Sequence, residues 1–171
     1  MPQSTPKAPG VSQPGIAELA QQVIDRAHAS GWTVATAESC TGGLVAAALT
    51  DVPGASAVFL GGLVTYANDA KLSWLAVEEA TLAGHGAVSE AVVRQMARGA
   101  RLSAGSHIAV AISGVAGPGG GSAAKPVGTV HLAWSTAAGE RAQHQCFDGD
   151  RAAVRAAATC AALEGLLEAI K

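Results

Sequence analysis

Residues 36–43 read Thr-Ala-Glu-Ser-Cys-Thr-Gly-Gly, and they join a β-favouring run, residues 32–37, to a helix-like run, residues 44–49. A side chain on such a turn is held out of the core, and the first N–H groups of the next helix lack partners within that helix. Glycines let the backbone come close to a bound molecule. The stretch therefore predicts an α/β fold with an active-site turn at Ser39 and Cys40, although similar junctions also occur without chemistry.

Helical and strand patterns alternate along the rest of the chain. Apolar residues at helical spacing, or good capping residues, predict helices over residues 16–30, 44–49, 68–74, 89–100 and 150–170. Short apolar or alternating runs predict strands over residues 32–37, 58–66, 107–112, 129–136 and 141–147. Because helices alternate with strands early and an antiparallel hairpin follows late, we predict a three-layer α/β/α domain with a mixed sheet.

The chain is predicted to hold a single folded domain. Its 171 residues suffice for one sizeable core. Residues 1–14 contain four prolines and lack a periodic apolar pattern, so we expect a disordered N-terminal tail there and the domain over residues 15–171.

Composition and charge narrow the classes of partner. The net charge is −2 and no basic run exists, which argues against nucleic acid. No apolar stretch reaches membrane-spanning length and the chain start lacks a hydrophobic signal core, so we expect no membrane partner. Three cysteines without a Cys-x-x-Cys pair, and five histidines without ligand spacing, lead us to expect no metal, no cofactor and a reducing cytoplasm.

A second informative stretch is the glycine-rich run at residues 114–122, Gly-Val-Ala-Gly-Pro-Gly-Gly-Gly-Ser. Successive N–H groups in such backbone can form a concavity that binds an anion. The run fits neither the dinucleotide-binding nor the phosphate-loop template. A flexible surface loop is the alternative interpretation.

Lys71 is a candidate base for Ser39 if the first two strands are neighbours. Its amine would act as a base only if its pKa fell by roughly 2–3 units from about 10.4. Tyr66 could then orient the amine or relay a proton. A solvated lysine and a core tyrosine are the alternative.

Three further residues have open roles. Cys40 competes with Ser39 as nucleophile, but no histidine is placed to activate it, and a packed thiol is the alternative. Arg151 and Arg155 fall in the first turns of the last predicted helix, where their charge opposes the helix dipole. They therefore either grip a carboxylate or phosphate or are merely exposed.

Six motifs in register carry a family resemblance. They are Ala-Glu-Ser-Cys-Thr-Gly-Gly at 37–43, Gly-Gly-Leu-Val-Thr-Tyr-Ala-Asn at 61–68, Gly-Ala-Val-Ser-Glu at 86–90, Ser-Gly-Val-Ala-Gly-Pro-Gly-Gly-Gly at 113–121, Lys-Pro-Val-Gly-Thr at 125–129 and Gly-Asp-Arg at 149–151. Over residues 15–171 the chain resembles the nicotinamide-nucleotide amidohydrolase (NMN deamidase) family, whose domain also forms the C-terminal part of the competence/damage-inducible CinA proteins.

The resemblance implies hydrolysis of the carboxamide of nicotinamide mononucleotide (NMN) to nicotinic acid mononucleotide and ammonia. Ser39 matches the family's nucleophile, Lys71 and Tyr66 its catalytic partners, and Arg151 a substrate-contacting position. Substrate contacts are then expected from the two glycine-containing turns and from Arg151, namely Thr41, Gly42, Gly43, Ser113, Gly114, Gly117, Gly119 and Arg151. A homodimer or higher homo-oligomer is also implied. A pyridine-nucleotide-binding domain without catalysis is the alternative function.

Overall fold

The computed structural model describes residues 15–171, and the predicted tail at residues 1–14 lies outside them. Five strands form one mixed sheet in the order β2-β1-β3-β4-β5. Their bounds are β1 Val34–Glu38, β2 Phe59–Val64, β3 Ile108–Gly114, β4 Thr129–Thr136 and β5 Gly139–Cys146. β1 runs parallel to both β2 and β3, whereas β4 and β5 continue the sheet in antiparallel pairs.

Helices cover both faces of the sheet. Their bounds are α1 Ile16–Ser30, α2 Leu44–Thr50, α3 Asn68–Leu75, α4 Glu79–His85, α5 Glu90–Ala104 and α6 Arg151–Ala169, and a short 3₁₀ turn covers Ala55–Ala57. α1, α2 and α6 lie on one face, and α3, α4 and α5 lie on the other. Within residues 15–171 none of the helices is both long enough and apolar enough to cross a bilayer.

The two faces of the sheet differ in side-chain size. The face under α1, α2 and α6 carries large buried residues, which include Val34, Ile108, Val110, Ile112, Leu132 and Trp134. The face under α3 and α5 carries alanines instead, namely Ala35, Ala37, Ala109, Ala111 and Ala133. Successive residues of a strand point to opposite faces, so this alternation builds two separate cores. The predicted three-layer α/β/α fold is confirmed.

The predicted elements agree with the structure apart from their ends and two details. α4 was not predicted, because its seven residues bury no side chain and so carry no apolar stripe. Asn68 and Asp69 do not cap α3, which begins at Asn68 after an extended Ala67 without a side-chain cap. Ser89 caps α5, since its hydroxyl accepts the Val92 amide at 3.3 Å.

The glycine pair Gly61-Gly62 in β2 accompanies a β-bulge and a close approach to β1. Pairing with β1 skips a residue between Phe59 and Gly61, which is a β-bulge. At Gly62 an added Cβ would collide with the Thr36 hydroxyl, so the two strands approach closely only because this residue is glycine.

We expect Gly165→Ala to destabilise the protein. Gly165 lies in α6 directly over the buried Trp134 ring, and an added methyl would overlap the indole. Overpacking a filled core costs about 1–3 kcal/mol. Urea unfolding would measure the decrease in the free energy of unfolding. Gly84→Ala in α4 is the control, because its methyl meets no atom within 4 Å, and an equal loss in both variants would contradict the packing argument.

Candidate active site

The candidate site is a cavity of about 310 Å³ at the carboxyl edge of the parallel strands. The connection after β1 leads to β2 on one side, and the chain then crosses back over β1 to β3 on the other, so the strand order reverses at β1. Ligands of open α/β sheets bind at such a switch point. Ser39, the first residue after β1, lies there.

Most of the residues predicted to form the site line this cavity. They are Ser39, Tyr66, Lys71, Ser113, Gly114, Gly117, Gly119 and Arg151. Asn68, Ala87 and Val88 also line it and were not assigned from the sequence. For Asn68, Ala87 and Val88 the available signal was their place inside the motifs at 61–68 and 86–90.

Ser39 and Lys71 are in direct contact. The Lys71 Nζ lies 3.1 Å from the Ser39 Oγ. Lys71 is only 1% exposed and Ser39 9% exposed. Burial in this setting lowers the pKa of Lys71 below its ordinary value, because desolvation penalises the ammonium form. The pKa of Lys71 therefore shifts in the direction that a lysine base requires.

The partners of the Lys71 amine suit its neutral form. Nζ also lies 2.7 Å from the Thr65 carbonyl oxygen and 3.3 Å from the Tyr66 carbonyl oxygen. A neutral amine has two protons for these two carbonyls, and its lone pair then remains for the Ser39 hydroxyl. Within the described chain no carboxylate forms a salt bridge with Lys71. The amine is thus arranged to accept the serine proton.

Glu38 changes the role expected for the start of α2. Its carboxylate is fully buried and accepts the amides of Gly43, Val45 and Ala46 at 3.0, 3.1 and 2.8 Å. These are N–H groups that a helix start otherwise leaves without partners. The protein itself therefore neutralises this helix N-terminus, and the amides are not free for a substrate.

The turn amides predicted to contact the substrate, those of Thr41, Gly42 and Gly43, lie outside the cavity lining. The Gly42 amide donates to the Ser39 carbonyl at 3.0 Å, and the Gly43 amide donates to Glu38. The glycines instead allow the tight turn, with φ of 62° and 102°.

Cys40 lines the cavity but is not suited to be a nucleophile. Burial raises the pKa of its thiol to about 11, so the reactive thiolate is scarce at neutral pH. We expect iodoacetamide to modify the exposed Cys146 in the folded protein and to leave Cys40 unmodified. Mass spectrometry of the alkylated peptides would show this. Fast labelling of Cys40, accompanied by loss of turnover, would restore it as a nucleophile candidate.

Arg151 bridges the two sides of the cavity mouth. Its guanidinium donates to the Gly117 carbonyl at 2.8 Å and to the Tyr66 phenol oxygen at 2.9 Å. The Tyr66 side chain is 60% exposed, so it is not the core residue that was considered. Its carbonyl, rather than its phenol, contacts the Lys71 amine. The phenol is placed to meet a ligand beside Arg151.

The glycine-rich loop forms the opposite wall. It is anchored at both ends, since the Val115 amide donates to Thr129 and the Gly128 amide donates to Val115, each at 2.8 Å. Between these anchors, within the described residues, the amides of Gly117, Gly119 and Gly120 have no protein acceptor. The Ser113 hydroxyl donates to the Ala87 carbonyl at 2.8 Å. The loop thus presents amide donors, as its composition predicts.

The fold and the site define a three-layer α/β/α protein with a buried serine–lysine pair at the carboxyl edge of its parallel strands. Comparison with known proteins then places it more narrowly. A profile of the CinA C-terminal domain matches residues 16–170. The chain belongs to the CinA C-terminal domain family, as the six motifs indicate.

Relatives of known name and structure agree with this assignment. The chain is 55% identical over 152 residues to the nicotinamide-nucleotide amidohydrolase PncC of Escherichia coli K12, a match covering 88% of this chain and 92% of that protein. A crystal structure of competence/damage inducible protein CihA from Agrobacterium tumefaciens is 48% identical with a TM-score of 0.86, covering 91% and 96% of the two chains. A CinA superfamily protein from Klebsiella pneumoniae is 43% identical with a TM-score of 0.88, covering 92% and 98%.

Proposed function

We propose that the protein is a nicotinamide-nucleotide amidohydrolase, which converts NMN and water to nicotinic acid mononucleotide and ammonia. The observation that carries the proposal is the buried Lys71 amine 3.1 Å from the Ser39 hydroxyl in a ligand-sized cavity. The identity to a protein named for this activity supports the substrate. The geometry and the resemblance support the roles proposed for Ser39 and Lys71.

The first half of the reaction transfers the acyl group to the protein. Lys71, whose burial favours the neutral amine, takes the Ser39 proton as the oxygen attacks the carboxamide carbon. The resulting ammonium then returns a proton to the amide nitrogen, and ammonia leaves. A neutral base suits this substrate, because the pyridinium ring of NMN carries a positive charge beside the reacting group.

The second half restores the free serine. A water molecule gives a proton to Lys71 and attacks the ester carbon. The Lys71 ammonium then returns that proton to the Ser39 oxygen as the intermediate collapses, and the acid product leaves and loses its proton to solvent. In both halves a negative oxygen develops on the reacting carbon. The Cys40 amide is a candidate donor to this oxygen, because Cys40 lines the cavity and its N–H donates to no backbone carbonyl within residues 15–171.

The other end of the substrate carries a phosphate. Arg151 and the unpaired amides of Gly117, Gly119 and Gly120 lie at the cavity mouth and suit an anion. The Tyr66 phenol, held by Arg151, would meet the ribose or the ring.

Incubation of the purified protein with NMN tests the proposal. We expect ammonia and nicotinic acid mononucleotide in a 1:1 ratio, measured by a coupled enzyme assay and by chromatography. The non-catalytic alternative predicts that NMN raises the melting temperature while neither product forms. That outcome would overturn the enzymatic assignment.

We also propose that the protein acts in the cytoplasm as a homo-oligomer. The three cysteines are free thiols, which suits a reducing compartment. The edge strand β2 exposes Leu60 and Val64, and such an apolar edge suits contact with a second copy. Light scattering on the purified protein measures the mass, and a monomer at micromolar concentration would contradict the assembly.

A further inference from the structure

The Arg155 side chain reaches from the second turn of α6 to the turn that carries Ser39. Its Nε donates to the Cys40 carbonyl and its Nη2 donates to the Thr41 carbonyl, both at 3.0 Å. A cation near a helix N-terminus opposes the helix dipole. These two hydrogen bonds explain why an arginine occupies this unfavourable helix position, because both carbonyls belong to the turn that carries Ser39.

The two bonds fix the orientation of consecutive peptide groups. In a trans peptide the C=O and the following N–H point in opposite directions. Anchoring the Cys40 carbonyl therefore directs the Thr41 N–H away from Arg155. The Thr41 carbonyl belongs to the same peptide as the Gly42 N–H, which donates to the Ser39 carbonyl at 3.0 Å. That last bond in turn directs the Cys40 N–H away from the turn.

The turn is thus held between opposite charges. The Glu38 carboxylate accepts the amides that follow the turn, and the Arg155 guanidinium donates to the carbonyls within it. An added methyl at Gly42 would lie 3.3 Å from the Arg155 Nη2, so glycine leaves room for this contact. Burial raises the pKa of the Cys40 thiol, and the nearby Arg155 charge opposes that rise.

We infer that Arg155 is a positioning residue for acyl transfer, holding the Ser39 oxygen and the Cys40 amide where the tetrahedral intermediate needs them. The inference rests on the proposed function insofar as it presupposes a reactive Ser39. Arg155 does not line the cavity that contains Ser39, unlike Arg151. It does border a neighbouring hollow of about 650 Å³, so direct contact with a ligand is the role that a test must separate.

The test compares Arg155→Ala and Arg155→Lys with Arg141→Ala. Arg141 is a matched control, because it donates to a carbonyl near the other end of α6, that of Gly165, at 3.3 Å. For each protein we would measure kcat and KM with NMN, and separately the rate at which a fluorophosphonate modifies Ser39. The second measurement reports serine reactivity without requiring NMN to be the substrate.

For Arg155→Ala we expect kcat to fall about 10²-fold, the size of losing one oxyanion donor, with KM changed less than about threefold. Fluorophosphonate labelling should slow by a similar factor. Millimolar guanidinium ion should restore at least about a tenth of the lost rate, which equal sodium chloride should not do. Arg155→Lys should fall between wild type and Arg155→Ala, and Arg141→Ala should match wild type.

Several results would overturn the inference. A raised KM with unchanged kcat in Arg155→Ala would make Arg155 a ligand contact. Unchanged labelling of Ser39 in Arg155→Ala would show that the reactivity of Ser39 does not depend on Arg155. If Arg155→Ala fails to fold, wild-type labelling in a folded Arg155→Lys would be equally decisive. Normal labelling of the wild type without ammonia release would instead reject only the proposed substrate.

Discussion

Ser39→Ala is expected to lower the rate of ammonia release from NMN by about 10⁴-fold or more, the usual loss when a catalytic nucleophile is removed. The attacking atom is absent in the variant, whereas the neighbouring amides and Arg151 remain. NMN should therefore still bind and raise the melting temperature. The Ser39 hydroxyl is small and its main partner is Lys71, so we expect the fold to persist.

The matched control for this variant is Ser73→Ala, which removes an exposed hydroxyl from α3. Ammonia release by this variant should equal that of the wild type. A Ser39→Ala protein with near wild-type turnover would reject Ser39 as the nucleophile. That result would instead favour direct attack by water, with Lys71 as the base.

Lys71→Met is expected to abolish turnover to a similar degree. Methionine fills the buried space without an amine, so nothing accepts the Ser39 proton. Lys71→Arg is the informative companion, because arginine carries a permanent positive charge and does not lose its proton in proteins. An inactive Lys71→Arg supports a base, whereas an active one would show that charge alone suffices. Circular dichroism would confirm that both variants are folded.

The pH dependence follows from the lowered pKa of Lys71. Below that pKa the amine is protonated and cannot act as a base, so kcat/KM should rise with pH and level off below the ordinary value of 10.5. Stability should follow the same direction. Between the lowered pKa and 10.5 the unfolded chain binds more protons, so a rising pH favours the folded wild type relative to Lys71→Met. A difference between the two proteins that is independent of pH would contradict the assignment.

The contact between Ser39 and Lys71 could be anticipated from the sequence because it depends on topology. A turn after β1 and a helix after β2 must meet if the two strands are parallel neighbours, as they are. The motif order then pointed to the same pair. The contacts of the Lys71 amine with the Thr65 and Tyr66 carbonyls could not be predicted from the pattern, because they depend on the local path of the backbone.

The roles of the turn amides could not be read from the sequence. A glycine pair before a helix has the same pattern whether its N–H groups face a ligand or a side chain of the protein. Here the amides face the Glu38 carboxylate. Only the structure shows this, because it places that carboxylate fully buried against the start of α2. Arg155 is a similar case. Its unfavourable position near a helix N-terminus indicated a role, but the carbonyls that it contacts could not be predicted from the sequence.

The alanine face of the sheet affects the distance between Lys71 and Ser39. Lys71 stands on α3, which packs with α5 over Ala35 and Ala37, and Gly99 lets α5 approach the α3 backbone. A lysine side chain has a fixed reach, so the interlayer spacing determines whether its amine touches the serine. The small volume of these alanines and of Gly99 therefore sets the separation between the helix layer and the sheet, and with it the distance between the Lys71 amine and the Ser39 hydroxyl.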